Sequence, residues 1–371
     1  GAASLGFTGL FRFFDFLGSE LVFANDLDHG YGPILADSNK LFDLPQKFSY
    51  QVISQVGEEM DDGFLVPGRH DGMGTFSGPK GKTILIRNHE INVRSSSKLG
   101  PYGAKNEFVR KLKVGQMYDQ GREIELPALG GTTTLVYDTQ AGRLESHHLS
   151  LAGTVRNCAG GVTPWNSWIT CEESVQRADL SFAVDHGYNF EVPASSTVQL
   201  ADPFPLKAMG RFNHEAVAVD PNSSIVYQTE DREDGLIYRF ISNLPGQLSK
   251  GGQLQALRVS DQKSLDTRNW NNPLVSVGTK MAVEWVNIDN VESPNDDLRY
   301  QGYEKGAARF ARGEGMWYGL DKVFFVCTNG GKEKQGQIWQ YIPSIFEGTS
   351  REKNAPGNLE LFLEPNDSTL L

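Results

Sequence analysis

The chain has 371 residues, more acidic than basic side chains and a formal net charge of −11. This charge argues against nucleic acid as a partner, because phosphate backbones are bound by clustered Lys and Arg side chains. A membrane span needs about 18 consecutive apolar residues, and the sequence contains no such run.

No linker or low-complexity tract interrupts the sequence, so we predict a single domain over residues 1–371. The three cysteines, Cys158, Cys171 and Cys327, show no paired spacing, which excludes a disulfide-stapled fold. The first four residues, Gly-Ala-Ala-Ser, resemble what remains after cleavage of a leader peptide at small residues. They are a hint of export.

Helical patterns are rare. Apolar residues at helical spacing predict one short amphipathic helix over residues 4–16, and Asn106–Leu112 is a second candidate. The remainder favours strands and tight turns, as the 40 glycines and 21 phenylalanines also indicate. The clearest predicted strands, in chain order, are Thr83–Arg87, Thr132–Tyr137, Ser167–Cys171, Ser224–Thr229, Leu236–Ile241, Lys322–Cys327 and Gln337–Tyr341.

Several of these strands end in the same way, with apolar residues followed by polar ones and then an oxygen-bearing side chain. The four instances are Ile86–Glu90, Ile169–Glu173, Tyr227–Asp231 and Phe325–Asn329. A β-propeller brings strand ends from several blades to one mouth of its channel in this manner. The units lie further apart than the ~40–50 residues of ordinary blades, which indicates long inserted loops. A β-sandwich whose strand ends face water fits the same pattern.

Two Asn-His-Glu triplets, Asn88–Glu90 and Asn213–Glu215, each place a carboxylate beside a histidine. Cys158 precedes a Gly-Gly pair, where tightly turning backbone would let its thiol approach a metal. A thiolate combined with carboxylates suits iron better than calcium alone. Taken singly, the triplets are also explained as solvated loops, and the cysteine as an inert buried side chain. Cys171 and Cys327 are assigned to that inert class.

Arg312 and Glu314 lie two residues apart beside glycines, so extended backbone would point both side chains to one side. Arginine suits bidentate phosphate binding, and a glutamate beside it suits a cation. Asp231, Glu233 and Asp234 form an acidic loop that lacks the full EF-hand pattern. A surface ion pair and a solvated acidic turn are the plainer explanations of these segments, and the role of the loop acid Asp71 stays open.

Other catalytic motifs are absent from the sequence. It contains no Gly-x-Ser-x-Gly elbow, no His-Glu-x-x-His and no P-loop. Serine hydrolase, zincin and nucleotide-dependent kinase functions therefore lose support.

Together, the motifs resemble those of the PhoX-type alkaline phosphatases, a family of exported β-propeller enzymes. The matching segments run in order through most of the chain: Asp71–Met73, Arg87–Glu90, Asn157–Trp165, Thr170–Glu173, Phe212–Ala216, Thr229–Asp231 and Arg312–Glu314. The resemblance favours the propeller, and we predict an all-β, six-bladed β-propeller with long inserted loops. Family members continue beyond residues 361–371 into closing strands, so the last blade is expected to be incomplete or formed differently.

The resemblance also implies a mixed cluster of iron (Fe3+) and calcium at one mouth of the channel. The positions that match its metal-binding residues are Glu90, Cys158, Glu173, Glu215, Asp231 and Glu314. Among them, Cys158 matches the iron-binding thiolate and Glu215 a carboxylate near it. Arg312 matches the arginine that contacts substrate phosphate. Glu172 adjoins Glu173, and an exchange of roles between these two stays open.

These expectations describe a metal-dependent phosphoric monoester hydrolase that acts on small phosphate esters and releases inorganic phosphate. The alternatives are a calcium-dependent lactonase or phosphotriesterase and a non-enzymatic calcium-binding propeller. Cys158 separates them, because a calcium-only site has little use for a thiolate. We expect a periplasmic or secreted monomer with neither nucleic acid nor a membrane as partner.

Overall fold

A computed structural model describes residues 31–92, 95–122 and 126–366. Residue contacts divide the chain into two compact units, Gly1–Ile53 and Ser54–Leu371. The helix predicted over residues 4–16 lies outside the described residues. The single domain over residues 1–371 stays a prediction.

In the first unit, the described residues form a small hairpin in which β1 (Ile34–Leu35) pairs antiparallel with β2 (Leu44–Pro45). Asp37 holds the connecting turn, because its carboxylate accepts hydrogen bonds from the backbone N–H groups of Asn39 and Leu41 at 3.1 and 3.0 Å. The Tyr50 hydroxyl also donates to Asp37 and, with these bonds, lowers the pKa of this carboxyl to about 2.

The second unit consists of antiparallel sheets, and we call each set of consecutive paired strands a blade. The first blade contains β3 (His70–Ser77), β4 (Lys82–His89), β5 (Gly130–Asp138) and β6 (Arg143–Thr154), paired in that order. The second contains β7 (Asn157–Val162), β8 (Ser167–Glu172) and β9 (Asn189–Pro193).

The third and fourth blades share one nine-stranded sheet. The third blade contains β10 (His214–Val219), β11 (Val226–Glu230), β12 (Ile237–Ser242) and β13 (Gly252–Val259). The fourth contains β15 (Gly313–Gly319), β16 (Lys322–Cys327), β17 (Gln337–Ile342) and β18 (Asn358–Leu363). Between them, β14 (Lys280–Asn287) pairs with β13 along one part and with β18 along another.

Helices are short in the described residues. The α-helix α1 covers Leu298–Glu304, and the 3-10 helices cover Pro79–Gly81, Ser97–Leu99, Glu107–Lys111, Lys207–Met209, Leu248–Lys250 and Glu352–Asn354. The helix predicted at Asn106–Leu112 is therefore present as a 3-10 helix. Within the described residues, no helix has the length and apolar character needed to cross a membrane.

The first strands of successive blades contact one another, β3 with β7, β7 with β10 and β10 with β15. Strand alternation explains how the blades pack: in β16, Val323, Phe325 and Cys327 are buried while the intervening residues are partly exposed. One apolar cluster joins Phe325 to Tyr227 of the third blade, so the core lies between neighbouring blades. Burial of a large apolar side chain of this kind contributes roughly 1.5–3 kcal/mol.

The all-β prediction is confirmed, and each of the seven predicted strands coincides with an observed strand to within a few residues. The described residues supply four blades, so the expected number of six is not confirmed. The last blade has four strands, the outermost of which is β18.

Candidate active site

The same backbone junction occurs at one end of all four blades. The residue after the second strand donates its backbone N–H to the carbonyl of the residue just before the first strand. These bonds, of 2.8 to 3.1 Å, join Glu90 to Arg69, Glu173 to Arg156, Asp231 to Asn213 and Thr328 to Arg312. Because the first strands adjoin one another, the four junctions lie at one end of the array.

A β-bulge follows the start of each first strand. The register shifts between His70 and Met73, Asn157 and Gly160, His214 and Val217, and Gly313 and Met316. Bulges re-aim side chains and are common beside active sites. The equivalent residues at the second position of these strands are Asp71, Cys158, Glu215 and Glu314. This recurrence is a second repeat, which the sequence analysis did not find.

At the end of the second strand of each blade, successive side chains point to opposite faces of the sheet, as in any β-strand. The last residues of these strands are fully buried within the blades, and these are His89, Glu172, Glu230 and Cys327. The residue that follows points the other way, so the side chains of Glu172 and Glu173 face opposite sides of β8. The two glutamates are thus not interchangeable in this fold.

The site residues predicted from the sequence converge in two overlapping groups. Cys158, Glu173 and Glu215 have ligand atoms within 4.8 Å of one another. Glu215, Asp231 and Glu314 form the second group, with the same limit. Glu215 belongs to both, so the two groups form one continuous cluster. Four of these five side chains are buried, and that of Glu314 is partly exposed.

Arg312 lies on the open side of the cluster. Its Nε and Nη2 atoms donate to the two oxygens of Asp231, both at 2.8 Å, and Nη2 also donates to Glu314 at 2.8 Å. Its side chain is 42% exposed, and its Nη1 atom makes no hydrogen bond within the described part of the chain. The guanidinium therefore keeps donors for a ligand that arrives from solvent.

Arg156 is a site residue that the sequence analysis missed. Its guanidinium donates to Glu90 at 2.9 Å and also pairs with Glu173. Glu90 therefore joins the cluster through Arg156. Arg156 and Arg312 both precede a first strand, and both have left-handed backbone, with φ of 48° and 54°. Such φ values are uncommon for residues other than glycine, so recurrence at equivalent junctions marks a shared turn.

The remaining candidates have structural partners. Nδ1 of His89 lies 2.9 Å from the carbonyl oxygen of Gly68, and Nε2 of His214 lies 3.0 Å from that of Gly210. Asp234 of the acidic loop pairs with Arg299 at 3.0 Å. All three cysteines are buried and free. The Asn-His-Glu triplets thus contribute their glutamates, while their histidines lie inside the blades.

Burial and mutual repulsion shift the ionisation of the cluster. Burial, with repulsion from Glu314, Glu173 and Asp231, raises the pKa of Glu215 to about 9. Burial also raises the pKa of Glu173 to about 7, although Arg156 opposes the shift. Burial and the neighbouring Glu215 raise the pKa of the Cys158 thiol well above its ordinary range. The protein thus holds more potential negative charge here than its two arginines balance.

This donor set fits bound cations. Carboxylates stabilised by a cation would ionise at neutral pH in spite of their burial, and a thiol that binds a metal is deprotonated. One sulfur with two carboxylates suits iron, while the three-carboxylate group suits a hard cation such as calcium.

A cavity of about 660 Å³ adjoins the Arg156 side of the cluster. Ile91 and Val155, the chain neighbours of Glu90 and Arg156, are among its lining residues, together with Phe182 and Lys105. None of the six predicted metal-binding residues lines this cavity.

Comparisons with known proteins identify the family and the fold. The family model for alkaline phosphatase PhoX matches residues 29–369. A solved structure of Pseudomonas fluorescens PhoX in complex with vanadate, a transition-state analogue, is similar with a TM-score of 0.54 and 17% identity. The likeness covers 86% of this chain and 73% of that chain.

A protein of unknown function from Dyadobacter fermentans is less similar, with a TM-score of 0.31 and 9% identity over 83% of this chain and 97% of that one. A search of curated protein sequences gave no match. The similarity to the Pseudomonas structure identifies the fold as a β-propeller. Because the family match covers nearly all of its length, the chain belongs to the PhoX family of alkaline phosphatases.

Proposed function

We propose that the protein hydrolyses phosphate monoesters and releases inorganic phosphate. The observation that carries this proposal is the convergence of Cys158 and four carboxylates beside Arg312, whose Nη1 atom is free to bind an anion. Family membership supports the same activity.

The two groups within the cluster would hold different cations. Cys158, Glu173 and Glu215 would bind iron, and Glu215, Asp231 and Glu314 would bind calcium, with Glu90 as a further carboxylate at the edge. Bound cations would supply Lewis acidity toward the phosphoryl oxygens and an acidified water at neutral to alkaline pH.

Arg312 binds the substrate in this proposal. Its planar guanidinium is held in place by Asp231 and Glu314, so little conformational entropy is lost when its free donors engage a phosphoryl oxygen. Charge grows on the equatorial oxygens in the transition state, and a fixed arginine stabilises it. In a protein of net charge −11, this local positive charge and the cations would offset repulsion of an anionic substrate.

The test is elemental analysis and phosphatase assay on one sample purified without chelator. We expect iron and calcium together, p-nitrophenyl phosphate hydrolysis, and loss of turnover after chelation with recovery on reloading. Calcium alone with no phosphate release would contradict the proposal. It would favour the lactonase, phosphotriesterase or binding-propeller alternatives, because the three-carboxylate group by itself suits calcium.

Export to the periplasm or secretion is part of the same proposal, supported by membership of this family. Cell fractionation of the native host with a specific antibody would test it. The monomer stays a prediction, and light scattering coupled to size exclusion would measure the molar mass in solution.

A further inference from the structure

Behind the cluster, on the other side of β8, lies a chain of three buried ionisable groups. The Nδ1 atom of His186 is 2.7 Å from Oε1 of Glu172, and its Nε2 atom is 3.1 Å from Oδ2 of Asp119. All three side chains are fully buried. Burial alone would lower the pKa of His186, but the two carboxylates raise it to about 9, so the imidazole is charged at neutral pH.

The carboxylates of Glu172 and Asp119 also accept hydrogen bonds from backbone N–H groups. Oε2 of Glu172 accepts hydrogen bonds from the N–H groups of Gly187 and Tyr188 at 2.8 and 3.2 Å. Asp119 accepts from the N–H groups of Gly121 and Ala183 at 2.7 and 3.1 Å. These hydrogen bonds fix Asp119, Glu172 and His186 in place, and we call the three side chains the frame.

One bond connects this frame to the candidate active site. Oε1 of Glu172 accepts a hydrogen bond of 2.9 Å from the N–H of Val155, the residue just before Arg156. Arg156 has left-handed backbone and pairs with both Glu90 and Glu173. The N–H of Val155 belongs to the Thr154–Val155 peptide, so Glu172 fixes the chain one residue before the turn at Arg156. The backbone of Arg156 itself is held by Ile91 and Glu173. The bond from Glu172 thus helps to set the direction in which the Arg156 side chain leaves the turn.

We propose that His186 is a positioning residue, which acts through Glu172 and Val155 to hold Arg156 between Glu90 and Glu173. The activity it supports is the phosphatase activity proposed above, on which this inference rests. Asp119 fixes His186, and His186 occupies the Glu172 oxygen that also accepts from Val155. Without the imidazole, Oε1 of Glu172 would lose its 2.7 Å contact with His186, and the carboxylate would be free to rotate. The bond from the N–H of Val155 to the same oxygen would then weaken.

A purely structural frame would behave differently from a positioning one. It would make the loop that carries Gly187 and Tyr188 less stable, whether or not Arg156 is present. A positioning role requires that the effect on catalysis disappear when Arg156 is absent. A double-mutant cycle between the two residues separates these cases, because coupled residues give non-additive effects.

The experiment compares His186→Gln in two backgrounds, with Arg156 and with Arg156→Ala. We expect kcat/KM to fall about 10–100-fold in the first, the usual cost of removing a group that orients a metal ligand or its partner. In the Arg156→Ala background the same substitution should change kcat/KM less than about 2-fold. Equal losses in both backgrounds, or no loss in either, would overturn the inference.

Asp119→Asn provides a second variant of nearly unchanged shape, for use if His186→Gln fails to fold. Glu352→Gln is the matched control, since it disturbs a buried ion pair elsewhere in the protein and should leave kcat/KM unchanged. The crystal structure of His186→Gln gives a readout independent of activity. We expect Arg156 to lose its left-handed φ and its contacts with Glu90 and Glu173.

The crystal structure also keeps this inference separate from the proposed function. If the parent protein releases no phosphate, the proposed function fails, and the position of Arg156 in the variant still decides the inference. An Arg156 that is unmoved in the variant crystal would refute positioning, whatever the enzyme does.

Discussion

Arg239 and Glu215 each lie among buried acidic groups, but their surroundings differ. Arg239 is 2% exposed and donates to Glu347 at 2.5 Å and to Glu352 at 2.6 and 2.7 Å. Glu347 also accepts from the hydroxyls of Tyr227 and Tyr341 at 3.0 Å. The carboxylates of this network are therefore satisfied by the protein.

Around Glu215, by contrast, the two arginines reach only the outer carboxylates. Arg312 and Arg156 bind the outer carboxylates Asp231, Glu314, Glu90 and Glu173. Glu215 itself has no basic partner within the described residues, and its pKa is raised to about 9. The difference separates a network whose carboxylates have protein partners from a cluster whose central carboxylate has no basic partner, as the proposed metal site requires. Four predictions test this contrast.

Arg239→Gln should cause the largest loss of stability. Removing one partner of a buried ion pair leaves uncompensated charge and costs about 3–5 kcal/mol. Urea unfolding would measure this cost, and kcat per folded molecule should be unchanged. A decrease in kcat with little loss of stability would mean that the Arg239 network is part of the active site.

Arg312→Ala should show the opposite behaviour. We expect kcat to fall about 10²–10³-fold, as when one transition-state donor is removed, with a thermal midpoint close to that of the parent. Steady-state p-nitrophenyl phosphate hydrolysis measures the effect, with Arg351→Ala, an exposed arginine outside the site, as the control. Full activity of Arg312→Ala would remove this residue from the proposed mechanism.

The frame behind the site should lose stability as the pH rises. The folded pKa of His186 is raised from 6.5 to about 9, so its contribution is fully present below pH 6.5 and lost as the pH rises through 9. The groups that face His186 are Glu172, Asp119 and the rings of Tyr118 and Phe182.

The difference in unfolding free energy between the parent and His186→Gln should therefore shrink by about 3 kcal/mol across this pH range. Urea titrations at pH 6.5 and pH 9.5 provide the measurement. A constant difference would mean that the imidazole does not change its charge over this interval.

Replacing a glutamate by glutamine should change the free energy of unfolding in opposite directions in the Glu215 cluster and in the Arg239 network. In chelator-treated protein at pH 8, Glu215→Gln should raise the free energy of unfolding by about 1–2 kcal/mol. The reason is that an acid with a raised pKa destabilises the folded state once the pH exceeds its unfolded value. Glu352→Gln should lower that free energy, because it weakens the pair with Arg239.

With calcium added, Glu215→Gln should instead be less stable than the parent protein, because Gln binds cations less well than a carboxylate. Thermal unfolding with and without calcium would measure the stability difference between each variant and the parent. If both substitutions destabilise the metal-free protein, the cluster is not short of positive charge.

The strand ends could be predicted from the sequence because apolar strands followed by oxygen-bearing side chains leave a local pattern. Glu90, Glu173 and Asp231 were found in this way. The choice between Glu172 and Glu173 could not be made, because it depends on which face of β8 packs against His186.

The second repeat, formed by Asp71, Cys158, Glu215 and Glu314, was harder to detect. Its members differ in chemical type, and bulges shift their register against the partner strands. The family resemblance identified three of them individually but did not relate them to one another. Arg156 was missed because its role depends on distances to Glu90 and Glu173, residues that lie 66 and 17 positions away in the chain.

The recurrent bulge also bears on how such a site could change in evolution. Its geometry depends on backbone pairing, and three of its four positions tolerate a carboxylate while the other carries a thiol. Each of the four blades therefore places one side chain at the same backbone position, whatever the chemical type of that side chain. If Cys158, Glu215 and Glu314 bind cations as we propose, a substitution at one of them would change the set of ligand atoms while the strand pairing that forms the bulge stays the same.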